Sequence, residues 1–272
     1  MLRRPRLVVA AGIVVLMAAI AAFPGLFAGW FGHGDPRVCD LAVSNLGPSA
    51  GHPFGFDKQG CDVYANVIYG ARASITVGVL VTLGCLVLAL VLGTLAGYYG
   101  GFADAVISRL SEVFLGVPLL LGALVLLGVL RDRSVWTVSL VLIIFGWPTL
   151  TRVTRSTVLA VRDLEYVDAA RALGARDLDL MRKHVVPNAI GPVLVLATTT
   201  VGGVIAAEAS LTYLGIGLTS PAISWGLQLS AARNDFAAAP HLLLFPSAFL
   251  SVAVLGFMLL GDAVRDVLDR RT

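Results

Sequence analysis

The chain has 272 residues, of which 57% are hydrophobic and only 14% charged, with a mean hydropathy of +0.87. Soluble domains carry about 25% charged residues, so this composition, with its long apolar runs, excludes an ordinary water-soluble enzyme and points to a membrane protein. A net charge of +3 is too small to indicate a nucleic-acid partner.

The N-terminus opens with Arg3, Arg4 and Arg6 ahead of an apolar run from Leu7 to Phe27. That run outlasts a signal-peptide core, and no small-x-small site with a polar follower ends it. It reads as a retained first span over 7–29, so 1–29 are a cytoplasmic end plus one span. Residues 30–73 read as an extracytoplasmic loop region, because Trp30 to Asn66 is rich in Gly, Pro and Asp. Cys39 and Cys61 share that loop; an oxidising compartment allows them to bond, and two unpaired thiols are the equal alternative. Cys85 lies in an apolar run as a small packing residue.

A second span is expected over 74–98, ending at the aromatic and paired glycines of YYGG. Residues 102–112 form a mixed link in which Arg109 and Glu112 are spaced to pair on a helix. The third span, 110–130, contains Pro118, and the fourth runs over 135–151, with an extension to 159 left open and Pro148 inside it. The fifth span covers 189–207. Thr198, Thr199, Thr200 and the Gly202–Gly203 pair there favour close helix packing or a hinge. Residues 208–240 read as an outer loop that partly re-enters the membrane, and 241–260 as the last span. Residues 74–272 thus form a five-helix core, and the fold class is an all-α polytopic membrane protein with six transmembrane helices.

Fourteen of the 20 Lys and Arg residues fall in the N-terminus, 98–112, 152–187 and 261–272. By the positive-inside rule both termini and the 152–187 stretch are cytoplasmic. Within that stretch, 163–187 reads as a hairpin of short helices. Asp163 is placed to cap a helix from Leu164, with Val167, Ala170 and Leu173 as its apolar stripe. Gly174 can end that helix in the left-handed conformation. Asp177 is placed to cap a second helix whose last turn carries Arg182, Lys183 and His184, and Pro187 suits the first turn of the fifth span. Such an element is either a lever clamped between two spans or a loop lying on the lipid surface.

DAARALG (Asp168 to Gly174), followed nine residues later by HVVPN, resembles the EAA loop of permease subunits in bacterial ATP-binding-cassette (ABC) importers. HPFGFDKQGCDV from His52, IYGARASI from Ile68, EASLTYLGIGL with SPAISWG from Glu208, and FMLLGDAVRDVLD from Phe257 resemble blocks of the dipeptide and oligopeptide permeases. The similarity is greatest to the second permease (DppC/OppC-like) of such an importer. This resemblance implies the type I ABC importer permease fold in the bacterial inner membrane, with 163–187 as the coupling-helix loop. It implies that Asp168, Ala169, Ala170 and Gly174, supported by Tyr166, Leu173 and His184, dock on a cytoplasmic ATPase. It also implies as partners a second homologous permease, two ATP-binding subunits, an extracytoplasmic peptide-binding protein and membrane lipid. The family usually has Glu where this chain has Asp168, and Thr and Arg where it has Phe56 and Cys61. The last departure sharpens interest in a Cys39–Cys61 bond.

The only lysines, Lys58 and Lys183, precede Gln59 and His184, so no Walker A loop is present. The chain is therefore expected not to be an enzyme and to bind no cofactor, with ATP and Mg on the partner ATPases. The histidines at 33, 52, 184 and 241 are too scattered for a metal motif. Tyr98, Asn188, Thr198, Thr199, Glu208 and Trp225 are the polar or aromatic candidates for the substrate path. Glu208 reads first as a structural loop anchor and second as a functional group near the membrane boundary. The alternative cargo within this family is nickel or another chelated metal.

Overall fold

In a computed structural model describing residues 3–32 and 34–268, with side chains from Leu7 onward, the described residues form helices and loops, with isolated β-bridges in place of strands. His33 and residues 269–272, including Arg270 and Arg271, lie outside the described residues, as do the side chains of Arg3, Arg4 and Arg6.

Helix α1 (Arg3–Ala22) breaks at Phe23 and resumes as α2 (Pro24–Ala28), with proline in its first turn. The last carbonyls of α1 have no partner within the helix. Arg72 supplies one, donating to Ala21 and Ala22 oxygens at 3.1 and 2.9 Å. The loop that follows is folded. Cys39 and Cys61 form a disulfide in this structure, and the Asp57 carboxylate accepts the backbone N–H groups of Gln59 and Cys61 at 2.8 and 2.9 Å.

The second span begins at Val63, eleven residues before the expected start. The carboxylate of Asp62 caps it by accepting the Tyr64 N–H at 2.8 Å, and the following YANVIYG is apolar enough to continue into the membrane helix. It runs as α3 (Val63–Leu88), a π turn (Ala89–Gly93) and α4 (Thr94–Tyr99). Residues 102–112 are helical rather than a link. They belong to α5 (Gly101–Gly116), which meets α6 (Leu119–Val129) at 83°. The bend falls where Pro118 forces Val117 out of the helical region. Arg109 and Glu112 pair on α5 at 2.9 Å. Helix α7 (Val135–Arg162), capped by Ser134, carries Pro148 and continues past 151 and 159.

Helices α8 (Glu165–Ala172) and α9 (Asp177–Leu180) make the hairpin. A π turn (Met181–Val185) joins α9 to α10 (Val186–Tyr213), so one 37-residue helical path, Asp177–Tyr213, replaces a separate short helix and a span over 189–207. Pro187 follows that turn, where its missing N–H interrupts the α-helical ladder. Glu208 is therefore helical and not in a loop. After Tyr213 the chain turns, forms α11 (Trp225–Ala232), and ends in α12 (His241–Leu268), longer than the expected 241–260.

Four paths, 63–99, 135–162, 177–213 and 241–268, are long and apolar enough to cross a membrane, and the bent α5–α6 pair is a fifth if taken as one span. The apolar part of α1, Leu7–Ala22, rises only about 24 Å against a hydrocarbon core of about 30 Å. Helix α10 is central and packs on α3, α7 and α12. Gly202 allows a close approach to α12, since a Cβ there would sit 2.9 Å from the Val254 carbonyl oxygen. One core cluster joins α1, α3, α11 and α12 around Trp225, and another joins α3, α6, α7 and α10 around Leu127, Leu142 and Leu150. A third, small cluster lies beneath the hairpin.

Candidate coupling site and substrate path

The hairpin is built on buried Val167, Leu180 and Val185, which pack with Met181, Ala189, Tyr98 and Val158. Only part of the expected stripe faces inward. Val167 is fully buried and Ala170 partly so, whereas Leu173 is 90% exposed. With Leu164, Tyr166 and Leu178, Leu173 presents apolar surface away from the bundle. Ala169 and Gly174 are also exposed.

Gly174 has φ +87°, the left-handed conformation expected of it. The Gly174 N–H reaches the Arg171 oxygen at 3.0 Å and the Ala175 N–H the Ala170 oxygen at 3.2 Å, which closes the end of α8. Both expected caps differ. Leu164 occupies the cap position of α8 without a side-chain bond, because the Asp163 carboxylate is taken by Arg162 Nε at 3.0 Å. Arg176 precedes α9, and Asp177 lies in its first turn. Asp168 pairs with Arg171 at 2.6 Å, one turn along α8, and the Tyr166 and His184 rings lie 6.4 Å apart. The Tyr98 hydroxyl, followed by the charges of Asp168 and Asp177, holds the Arg171 guanidinium above its ordinary pKa.

Tyr98 is a path candidate as a polar, aromatic side chain. It lies instead under the hairpin, where its hydroxyl donates to Asp177 Oδ1 at 2.8 Å. Arg162 adds a second tie, donating to the Gly97 and Tyr98 carbonyls at 2.9 and 3.2 Å. Sequence spacing gives no sign of either bond, since the partners are 64 to 79 residues apart.

The remaining path candidates do not gather around one opening. Asn188 donates to the His184 carbonyl at the hairpin base, and Thr198 and Thr199 bond to carbonyls of their own helix. Glu208 is fully buried, with Oε1 accepting from Thr212 at 2.8 Å and with the Ser74 and Ser224 hydroxyls as neighbours. Its Oε2 makes no hydrogen bond among the described residues. Trp225, also fully buried, donates its indole N–H to the Val67 carbonyl at 2.9 Å and its backbone N–H to Ser74. Together they knot α3, α10 and α11, which is the geometry of an anchor.

An open groove of about 400 Å³ lies elsewhere, along α7 between the α5–α6 bend and α10. Phe114, Pro118, Phe145, Thr149, Thr200 and Val204 are among its walls. Past Leu115 and Thr149, which line both spaces, it meets a polar cavity of about 930 Å³ containing Asp104, Arg109, Glu112, Arg152 and Arg155. Among the described residues no three His, Cys, Asp or Glu side chains assemble as a metal site.

Residues 89–272, from the π turn of the second span through the hairpin to the end, match the family described as the binding-protein-dependent transport system inner membrane component. The chain belongs to that family. It is accordingly a multi-pass membrane component of a transport system, not a catalytic enzyme. The glutathione transport system permease protein GsiD of Pectobacterium atrosepticum is 34% identical over 98% of this chain and 87% of its own length. The oligopeptide and dipeptide transport system permease proteins OppC and DppC of Bacillus subtilis are 35% and 37% identical, over 94% and 84% of this chain and 83% and 72% of their own. Among solved structures, the inward-facing MetNI methionine ABC transporter aligns with a TM-score of 0.59 at 18% identity, over 74% of this chain and 96% of that one. An amino acid ABC transporter crystallised with histidines aligns at 0.56 and 20%, over 76% and 94%. These alignments give the fold as that of an ABC importer permease.

Proposed function

We propose that this permease forms, with a second homologous permease subunit, the path by which short peptides cross the bacterial cytoplasmic membrane, driven by ATP on partner subunits. The names of its relatives, which include oligopeptide, dipeptide and glutathione systems, favour peptides over nickel or another chelated metal. The basic residues favour both termini and the hairpin in the cytoplasm, and an extracytoplasmic binding protein would deliver the peptide. ATP and Mg belong to two cytoplasmic ATPase subunits, because this chain has no Walker A loop.

The observation that carries this reading is the two-sided hairpin. Its inner side is packed on Val167, Leu180 and Val185 and tied through Tyr98, while Leu164, Tyr166, Leu173 and Leu178 leave 43% to 90% of their surface exposed on the outer side. An exposed apolar face on a rigid element suits docking on another protein. In this reading the outer face of α8, with Asp168, Ala169 and Gly174, sits on the ATPase, and nucleotide-driven closure of the ATPases moves the hairpin. The hairpin must dock differently in the two states, because equal docking shifts no equilibrium.

The test is reconstitution of the permease pair with ATPases and binding protein in vesicles, with labelled dipeptide outside. ATP-dependent accumulation, together with nucleotide-sensitive crosslinking from a cysteine at 173 to the ATPase, is expected. Uptake by this chain alone, or a hairpin cysteine labelled only from outside, would refute it.

A further inference from the structure

The polar cavity between α5 and α7 holds two ion pairs and one cation left over. Arg155 forks onto Asp104 through Nε–Oδ1 and, at 2.6 Å, Nη2–Oδ2, and Arg109 pairs with Glu112 at 2.9 Å. Arg152, on the same wall one turn before Arg155, makes no hydrogen bond or ion pair among the described residues. Arg152 stands 17 residues into α7, about 26 Å along a helix axis, near the far boundary of a hydrocarbon core of about 30 Å. Near that boundary the exposed Arg152 side chain stays solvated, so its guanidinium is available to an anion that enters the cavity. The cavity, at about 930 Å³, is within the range of about 300 to 1,000 Å³ of ligand sites and opens toward the apolar groove at Leu115 and Thr149.

Resting on the peptide reading above, we infer that Arg152 is a carboxylate-binding residue at the hairpin-side mouth of the path, receiving the C-terminal carboxylate of a short peptide as its side chains leave the groove. A guanidinium matches a carboxylate with two parallel N–H···O bonds, and Arg152 is the one arginine of this cavity whose fork is unused within the described residues. The two neighbouring pairs cancel their own charge and leave the site one unit positive. A lipid phosphate offers the same oxyanion chemistry. The peptide is the better occupant because the cavity continues into a groove walled by α3, α7 and α10, where an apolar side chain can lie beside the bound carboxylate.

The experiment uses the assembled, nucleotide-free transporter in nanodiscs of phosphatidylcholine without binding protein, titrated with Ala-Phe and with Ala-Phe amide. The wild type is expected to bind the free acid about ten- to a hundredfold more tightly than the amide, the usual worth of a charge-assisted bond. Arg152→Gln should erase that preference and Arg152→Lys should keep part of it. A preference unchanged in Arg152→Gln overturns the inference, as does a wild type with no free-acid preference at millimolar peptide. An effect that emerges only when phosphatidylglycerol is added also overturns it and makes lipid the occupant. ATP-driven Ala-Phe uptake is measured in parallel with the complete system. Its absence in the wild type overturns the peptide reading as well, whereas uptake with no role for Arg152 overturns this inference alone.

Discussion

Gly174 allows a clean test of the hairpin, because geometry separates backbone cost from packing cost. A Cβ built at this residue meets nothing within 4 Å, so a larger side chain has room. What a substitution must bear is the conformation, φ +87°, in which an L-residue loses about 1–2 kcal/mol and a β-branched one more. The penalty falls on an exposed element at the turn after α8, outside the three core clusters, so bundle stability should not change. It should appear instead as a hairpin that leaves its native shape. A shift of 1–2 kcal/mol is a factor of about 5–30 in a population. Gly174→Val is therefore expected to weaken ATPase docking by about that factor and to raise the ATP consumed per peptide imported. Gly174→Asn, which tolerates the left-handed region, should lie close to wild type. Gly12→Ala is the control, an open helical glycine of α1 without positive φ and away from the groove. Titrating the ATPase subunit onto the permease pair gives the affinity, and vesicle uptake against phosphate release gives the coupling ratio. Wild-type affinity and coupling in Gly174→Val would refute the reasoning.

Tyr98→Phe removes only the hydroxyl on Asp177; because that carboxylate is exposed and water can replace the donor, the cost should be about 1 kcal/mol, read as faster amide exchange over 165–180. Combining it with Asp177→Asn should add little, and full additivity would show the bond to be idle. Glu208→Gln keeps an acceptor for Thr212 and should retain uptake, whereas Glu208→Leu strands that hydroxyl and should cost about 1–3 kcal/mol in stability; a stably folded Glu208→Gln without transport would make the charge functional and defeat the anchor geometry. Non-reducing peptide mapping should recover Cys39 linked to Cys61, and reduction of this loop, closed across a separation of 22 residues, should cost about 3 kcal/mol of local stability. Free thiols on both residues in native protein would contradict the fold of that loop.

Local chemistry made much of this fold readable. The proline at 118, the apolar runs and the left-handed glycine at 174 each act through their own neighbours, and each did in the structure what its residue type dictates. Boundaries were less readable because they depend on partners distant in the chain. The second span begins at Val63 because the Asp62 carboxylate, held on one oxygen by His52 ten residues back, accepts the Tyr64 N–H with the other, and α10 extends through Glu208 because that carboxylate finds a pocket made by α3 and α11. The site divided in the same way. The hairpin could be named from its own residues, but which of them face inward was decided by packing against Tyr98 and Val158, and the path candidates point to different surroundings because polarity alone does not say which way a helix is turned. Thr200 belongs to the groove while its neighbours Thr198 and Thr199 do not stand among its walls.

The ties beneath the hairpin change how motion would spread. Sequence reading connects the element only to the spans on either side of it, the fourth and fifth. The structure keeps both connections and strengthens the second, since α9 runs into α10 without leaving the helical path. It adds a third through the end of the second span, where Asp177 holds the Tyr98 hydroxyl and Arg162, at the end of α7, holds the Gly97 and Tyr98 carbonyls. A displaced hairpin must therefore carry α4, α7 and α10 together or break these bonds, and buried Val167, Leu180 and Val185 make breaking them costly. Those same helices, through α3 and the π turn continuous with α4, wall the apolar groove at Val81, Thr149 and Thr200. Under the proposed coupling, a push at one end would change the shape of the groove at the other, without any side chain spanning the distance between them.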